Sequence, residues 1–311
     1  MGFLKKLFAI YNLYRSGELN SLLESIDVLK DKKKQINIQL KNLEDDIGTT
    51  KGRLGAVQDA TVRKSLGLKT DIDADGQHIC FETTYRIIAA GCSPFLVGPA
   101  GSGKSTILEQ IASAMNLEFY PMSVNALTSD YHIIGYNDAN GKYQPTVFRR
   151  AYEYGGIFSF EEIDAGSPNV LTIINNAMSQ NKFTFPDKIV EKHPRFILTA
   201  SGNTYGTGAN IQYIGRNPLD AATLDRFVMV YTDYDVQLED RLCLNKEWLQ
   251  WVHNIRDNAN RLGVKTVVGT RAVIHGDKLL NAGIPREAVE QMVVFKGMSV
   301  ADIDKLRGKT K

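Results

Sequence analysis

The chain has 311 residues, 43% of them hydrophobic and 23% charged, with a formal net charge of +2. That length suits one large domain or two modest ones, and the composition excludes collagen-like and largely disordered chains. The near-neutral balance excludes nucleic-acid binding by bulk charge, three scattered cysteines exclude a disulfide framework, and no apolar run reaches the ~20 residues that cross a bilayer.

The expected compartment is a reducing cytoplasm, that of a bacterium or of a phage's host. The stretch Met1–Tyr11 lacks a small-residue cleavage site, and Lys6 stands where a myristoylation motif wants Ser or Thr. Charge is shared unevenly: residues 1–70 carry 13 Lys/Arg against 8 Asp/Glu. Leu22, Ile26, Leu29, Lys33, Ile36, Leu40, Leu43 and Ile47 alternate steps of four and three, the a/d seam of a heptad repeat. Residues 1–50 therefore read as a helical arm, either a projecting coiled coil or a helix packed back on the rest. Residues 51–75, with Gly52, Gly55 and Gly67, read as a linker.

From residue 76 to 233, short apolar runs alternate with helical patterns. The runs are Phe95–Val97, Glu118–Val124, Ile157–Phe160, Phe196–Ala200 and Phe227–Tyr231. Such alternation predicts an α/β fold: a parallel sheet with helices on both faces. Residues 234–311 turn helical, with segments near 236–261, 270–282, 286–296 and 300–307, and predict a small helical lid. Trp248 and Trp251, three apart on one of these helices, read as its core.

Two segments carry the chemistry. Gly98-Pro99-Ala100-Gly101-Ser102-Gly103-Lys104-Ser105-Thr106 follows an apolar strand and opens a helical run, the context a phosphate loop requires. Its glycines let main-chain N–H groups curl into an anion nest at a helix N-terminus. Lys104 then reaches the β- and γ-phosphates, and the Ser105 hydroxyl ligates Mg²⁺, so a nucleoside triphosphate is the expected ligand. Further on, the apolar run 157–160 ends in Glu161-Glu162. The first acid is placed to hold the metal, and the second to act as general base or to orient the lytic water. Asp164 reads either as a further acid of the site or as part of a local turn with Gly166 and Ser167.

With these segments the chain resembles an AAA+ ATPase of the MoxR-like, dynein-related branch, which includes the small subunit of cobaltochelatase. The resemblance covers roughly residues 78–310, and it implies ATP and Mg²⁺ as ligands. It implies that Asn203, at the tip of the run from Phe196, is the polar sensor near the γ-phosphate. It also implies that Arg226, after Asp225, is the arginine finger acting on a neighbouring subunit, and that Arg271 faces the phosphates from the lid. Arg216 is the alternative finger, and Arg149–Arg150 a more distant one. The family's first acid is ordinarily Asp; Glu161 is one methylene longer, which bears on how the metal is held.

The resemblance further implies a homo-oligomer, a hexamer, that remodels or loads a protein partner, with a von Willebrand A-type protein among the candidate partners. Two other readings stand beside it. The basic bias of residues 1–70 suits a nucleic-acid-stimulated motor or loader, and Glu161 suits a nucleotide-switched scaffold with weak turnover. Two hairpins complete the pattern. Asn140-Gly141 predicts a two-residue turn, and Pro186-Asp187 a second turn. Their aromatic residues Tyr136, Tyr143 and Phe185 either grip a partner or cover the sheet edge.

Overall fold

A computed structural model describes residues 2–15, 17, 28–37, 76–209 and 212–308. The chain divides into two units, Met1–Thr61 and Val62–Lys311. In the first, helix α1 spans Gly2–Arg15 and helix α2 spans 28–37. Of the heptad seam, Leu29, Lys33 and Ile36 fall on α2. Leu22, Ile26, Leu40, Leu43, Ile47 and the expected linker 51–75 lie outside the described residues.

The second unit begins with α3 (Phe81–Ala89), and a five-stranded parallel sheet follows. Its strands are β1 (Ser93–Val97), β2 (Phe119–Ser123), β5 (Gly156–Glu161), β8 (Phe196–Gly202) and β9 (Phe227–Tyr231). Their order across the sheet is β2-β5-β8-β1-β9. All four pairings are parallel. Period-two alternation sends side chains to two cores. Phe95, Phe158, Phe160 and Leu198 enter one core with α6 (Val147–Tyr154), while Leu96 and Ile157 enter another with α3 and α4 (Lys104–Ala114). Burial on both faces is why the central strands β1, β5 and β8 read as mostly apolar runs rather than alternating ones.

The β3–β4 hairpin (Tyr136–Asn137 with Tyr143–Gln144) departs from the expected two-residue turn. Asn137 pairs with Tyr143, leaving a five-residue loop, 138–142. The Asp138 carboxylate accepts the N–H groups of Asn140 and Lys142, both at 2.9 Å, and that cage replaces the tighter turn. In the β6–β7 hairpin (Lys182–Thr184 with Ile189–Glu191) the Phe185 N–H donates to the Lys188 carbonyl at 3.0 Å, so Pro186 and Asp187 occupy the centre of the turn. Phe185 itself is only 3% exposed and packs on Phe148, Tyr152 and Phe183, so it belongs to the sheet's cover and is removed as a grip. Tyr143 is half-buried, its hydroxyl donating to the Ile134 carbonyl at 2.7 Å, whereas Tyr136 is 50% exposed.

The helical segment holds α9 (Val236–Leu242), α10 (Lys246–Leu262), α11 (Thr270–Asn281), α12 (Arg286–Val289, continued by a π turn to Val294) and α13 (Val300–Leu306). It encloses its own core around Trp248, Val252, Val273 and Phe295. The single helix expected over 236–261 is broken at Cys243–Asn245. Asn245 caps α10, accepting the Trp248 N–H at 2.9 Å, and gives its own N–H to Asp277 at 2.7 Å. Trp248 is fully buried and stacks on Trp251 with ring centroids 5.0 Å apart. Among the described residues no helix is long and apolar enough to cross a membrane.

Candidate functional site

Strand order reverses between β1 and β8, and ligands of open parallel sheets sit at such a switch point, beyond the C-terminal strand ends. Register sets those ends level: Val97 pairs with Gly202, and Phe160 with Ala200. The loop after β1, the acids after β5 and Asn203 after β8 therefore meet at one edge.

Residues 98–103 join β1 to α4. Gly101 and Gly103 take φ of +81° and +94°, left-handed values that only glycine adopts without cost, and these curl the loop between β1 and α4. Gly98 is required by packing, since a Cβ there would overlap the Thr232 carbonyl. Lys104 is buried at the start of α4. Its ammonium donates to the carbonyls of Gly98 at 2.8 Å and Pro99 at 2.9 Å, and to Asn203 Oδ1 at 3.1 Å. Burial pushes that ammonium down to about 8, against the opposing pull of Asp164 and Glu161. The Ser102 hydroxyl is buried in the loop with no hydrogen-bond partner.

Glu161, at the end of β5, is buried. It accepts hydrogen bonds from the hydroxyls of Ser105, of Ser159 at 2.8 Å and of Ser201 at 2.6 Å. Its extra methylene is thereby taken up: Ser159 and Ser201 steady a carboxylate that reaches across to Ser105. Neither serine stood out in the sequence, although Ser159 lies two residues before Glu161 on the same strand face. Ser201 is found only from the β5–β8 register. Asp164 is fully buried and makes more than a local turn. Its Oδ2 accepts the N–H groups of Asn203 at 3.1 Å and Thr204 at 2.9 Å, plus the Thr204 hydroxyl at 2.9 Å. Glu162, next in chain after Glu161, is exposed and adopts a left-handed backbone with φ 56°.

Two tyrosines that sequence reading passed over hold the loop at Ala100. The Tyr213 hydroxyl accepts the Ala100 N–H at 2.9 Å, and the Tyr234 hydroxyl donates to the Ala100 carbonyl at 3.1 Å. The Arg256 guanidinium lies 4.1 Å over the Tyr234 ring and gives two hydrogen bonds to buried Glu239, at 2.9 and 2.7 Å. Glu239 also accepts the Thr270 hydroxyl at 2.6 Å, beside Arg271 in the chain, so one buried carboxylate ties the lid to the phosphate loop. Burial alone would push Glu239 up, but hydrogen bonds from Arg256 and Thr270 hold it below the ordinary range.

These groups surround a cavity of about 390 Å³. Residues 100–106, Glu161, Glu162, Asn203 and Arg271 line it together with His78, Leu238, Leu242 and Ile274. Arg226 lies elsewhere, half-buried, donating to the Ala222 carbonyl and to Ser179 Oγ at 3.5 Å. Arg149 is committed to Glu153 at 2.9 Å and Asp187 at 2.8 Å. The residues present fit a triphosphate with Mg²⁺. The Ser102 hydroxyl of the loop is buried without a partner, and the oxygens of Ser105 and Glu161 are the hard donors that this ion takes.

Several known proteins are similar to this chain. A family model described as an AAA domain of the dynein-related subfamily matches residues 93–227. The aerobic cobaltochelatase subunit CobS of Sinorhizobium sp is 29% identical over 200 residues, covering 55% of this chain and 60% of CobS. Midasin of Dictyostelium discoideum is 27% identical over 169 residues, which is 51% of this chain and 3% of midasin. Among solved structures, NtrX from Brucella abortus in complex with ATP superposes with a TM-score of 0.46 at 14% identity, covering 66% of this chain and 51% of NtrX. The chain thus spans 60% or less of the length of each of these three. The family match falls on the strands and loops that build this edge, so residues 93–227 are similar to an AAA domain of the dynein-related subfamily.

Proposed function

We propose that the chain binds ATP with Mg²⁺, hydrolyses it to ADP and phosphate, and works as a ring of copies, a hexamer, that remodels or loads a protein partner. The observation that carries the hydrolytic part is the convergence of Lys104, Ser105, Glu161, Glu162, Asn203 and Arg271 on one cavity. The apolar wall of Leu238, Leu242 and Ile274 suits the base. The glycine loop at the start of α4, with Lys104, suits the phosphates.

Lys104 rests on the Gly98 and Pro99 carbonyls and exchanges them for phosphate oxygens when ATP enters. Ser105 and Glu161 would hold Mg²⁺, which would supply positive charge against the phosphates. Asn203, held at its N–H by Asp164, orients the attacking water with its amide, and Glu162 takes the proton that water gives up. Arg271 meets the negative charge from the lid side.

The ring rests on Arg226, which stands outside its own cavity; on a neighbouring copy's site it would supply the positive charge that a transferring phosphoryl group needs, worth about 10³–10⁵ in rate. Work on a partner rests on the likeness to CobS, which is named as a subunit of a cobaltochelatase. A von Willebrand A-type protein is the proposed partner class.

Glu162→Gln is expected to keep ATP affinity while turnover falls about 10²–10⁴-fold. Unchanged turnover removes Glu162 from this role. Lys104→Ala and Arg226→Ala, each inactive alone, are expected to rescue each other partly when mixed. No rescue at any ratio rules out Arg226 as a shared residue.

A further inference from the structure

Arg216 lies on the segment between β8 and α8 (Ala221–Leu224), and the hydrolytic scheme above gives it no part. Its side chain is 12% exposed, too enclosed for a residue that must reach into a neighbouring copy. One guanidinium nitrogen, Nη1, donates to Asp164 Oδ1 at 3.1 Å. Nη1 and Nη2 both reach Glu162 Oε2, each at 3.2 Å. The anchor is rigid. Asp164 is fixed by Asn203 and Thr204 on its other oxygen, and Asn217 pins the backbone beside Arg216. The Asn217 N–H donates to the Asp164 carbonyl at 2.7 Å, and its amide donates to the Gly166 carbonyl at 3.0 Å.

Glu162 offers the opposite picture. Its side chain is 58% exposed, and among the described residues Arg216 is the sole hydrogen-bond partner of its carboxylate. A free glutamate there would spread over many rotamers, whereas a general base must stay within hydrogen-bonding reach of its water. A misplacement of about 1 Å is enough to cost roughly 10² in rate. Both guanidinium contacts fall on Oε2, so Oε1 is left open. The planar fork of an arginine spans two acids at once, which a lysine ammonium on its flexible stem does less well.

We infer that Arg216 is a positioning residue acting within its own chain: anchored on buried Asp164, it holds Glu162 by one oxygen and leaves the other for the attacking water. This rests on the hydrolytic reading above, and it excludes Arg216 as the finger supplied to a neighbour.

The test uses the full chain and three readouts. Arg216→Gln is expected to leave the ATP KM within about 3-fold and to lower kcat by roughly 10–100-fold. A purely structural role would move KM, kcat and thermal stability together. Arg216→Lys keeps a charge beside Asp164 and guards against a folding defect; it is expected to hold wild-type stability and recover only part of the kcat. The third readout is mixing. Arg216→Gln and Glu162→Gln damage the same copy's site when Arg216 acts in cis, so their mixture at any ratio turns over no faster than the residual activity of the two variants measured separately. Recovery in the mixture, or an unchanged kcat in both Arg216 variants, overturns the assignment while leaving hydrolysis standing. Absence of turnover in the wild-type protein overturns the hydrolytic reading and this assignment with it.

Discussion

Asp164→Asn perturbs the brace beneath the site with almost no change of shape. An asparagine oxygen in the place of Oδ2 keeps three donors, the N–H groups of Asn203 and Thr204 and the Thr204 hydroxyl. That choice turns the amide NH₂ toward Arg216, where Oδ1 had accepted at 3.1 Å, and sets donor against donor. Breaking a buried ion pair costs about 3–5 kcal/mol, and one hydrogen bond to a charged group about 1.5–3 kcal/mol. Arg216 keeps Glu162, so the lower range applies, about 1.5–3 kcal/mol. For a unit of this size each kcal/mol moves Tm by about 2–4 °C, giving a fall of roughly 3–12 °C. The assay is thermal unfolding of Asp164→Asn and Asp164→Ala beside wild type, with ATP binding and turnover on the same samples. The alanine variant also strands the three donors and is expected to fall further. A Tm shift below about 1 °C for Asp164→Asn, or equal losses in the two variants, refutes the reasoning.

Three further outcomes follow from the packing. A Cβ on Gly276, inside α11, would land in the Trp248 indole, so Gly276→Ala is expected to destabilise by about 1–3 kcal/mol despite alanine's helix propensity; denaturant titration showing a gain would contradict this. Phe185→Ala is expected to cost about 3–5 kcal/mol and Tyr136→Ala less than about 0.5 kcal/mol, since one ring is buried and the other half exposed; equal costs would contradict the assignment of Phe185 to the core. Glu239 is held below its ordinary pKa in the folded chain, so its contribution is present above the unfolded value and lost as pH falls through the folded one. Unfolding followed from about pH 6 to pH 3 is expected to show a steeper acid loss in wild type than in Glu239→Gln, and parallel curves would remove Glu239 from that role.

What the sequence by itself determined is local. The phosphate loop was legible because its conformation is dictated by its own glycines, two of which take left-handed φ whatever lies around them. The central strands β1, β5 and β8 were legible because burial on both faces leaves mostly apolar runs, and the tryptophan pair of the lid because helical spacing put both on one face. The arm's seam shows the same kind of periodicity, and only Leu29, Lys33 and Ile36 of it fall among the described residues.

The tertiary structure alone decided which charged and polar groups meet. Arg216 and Asp164 lie 52 residues apart, and Glu161 and Ser201 lie 40 apart, so no spacing rule links them. The Asn-Gly pair promised a tight turn, yet the Asp138 carboxylate caged a longer loop, and Phe185 looked like a hairpin tip until the aromatic cluster behind it became visible. A backbone turn answers to its immediate neighbours. A charge takes whichever partner the packed sheet brings within about 3 Å, and strand register, fixed by the whole core, makes that choice.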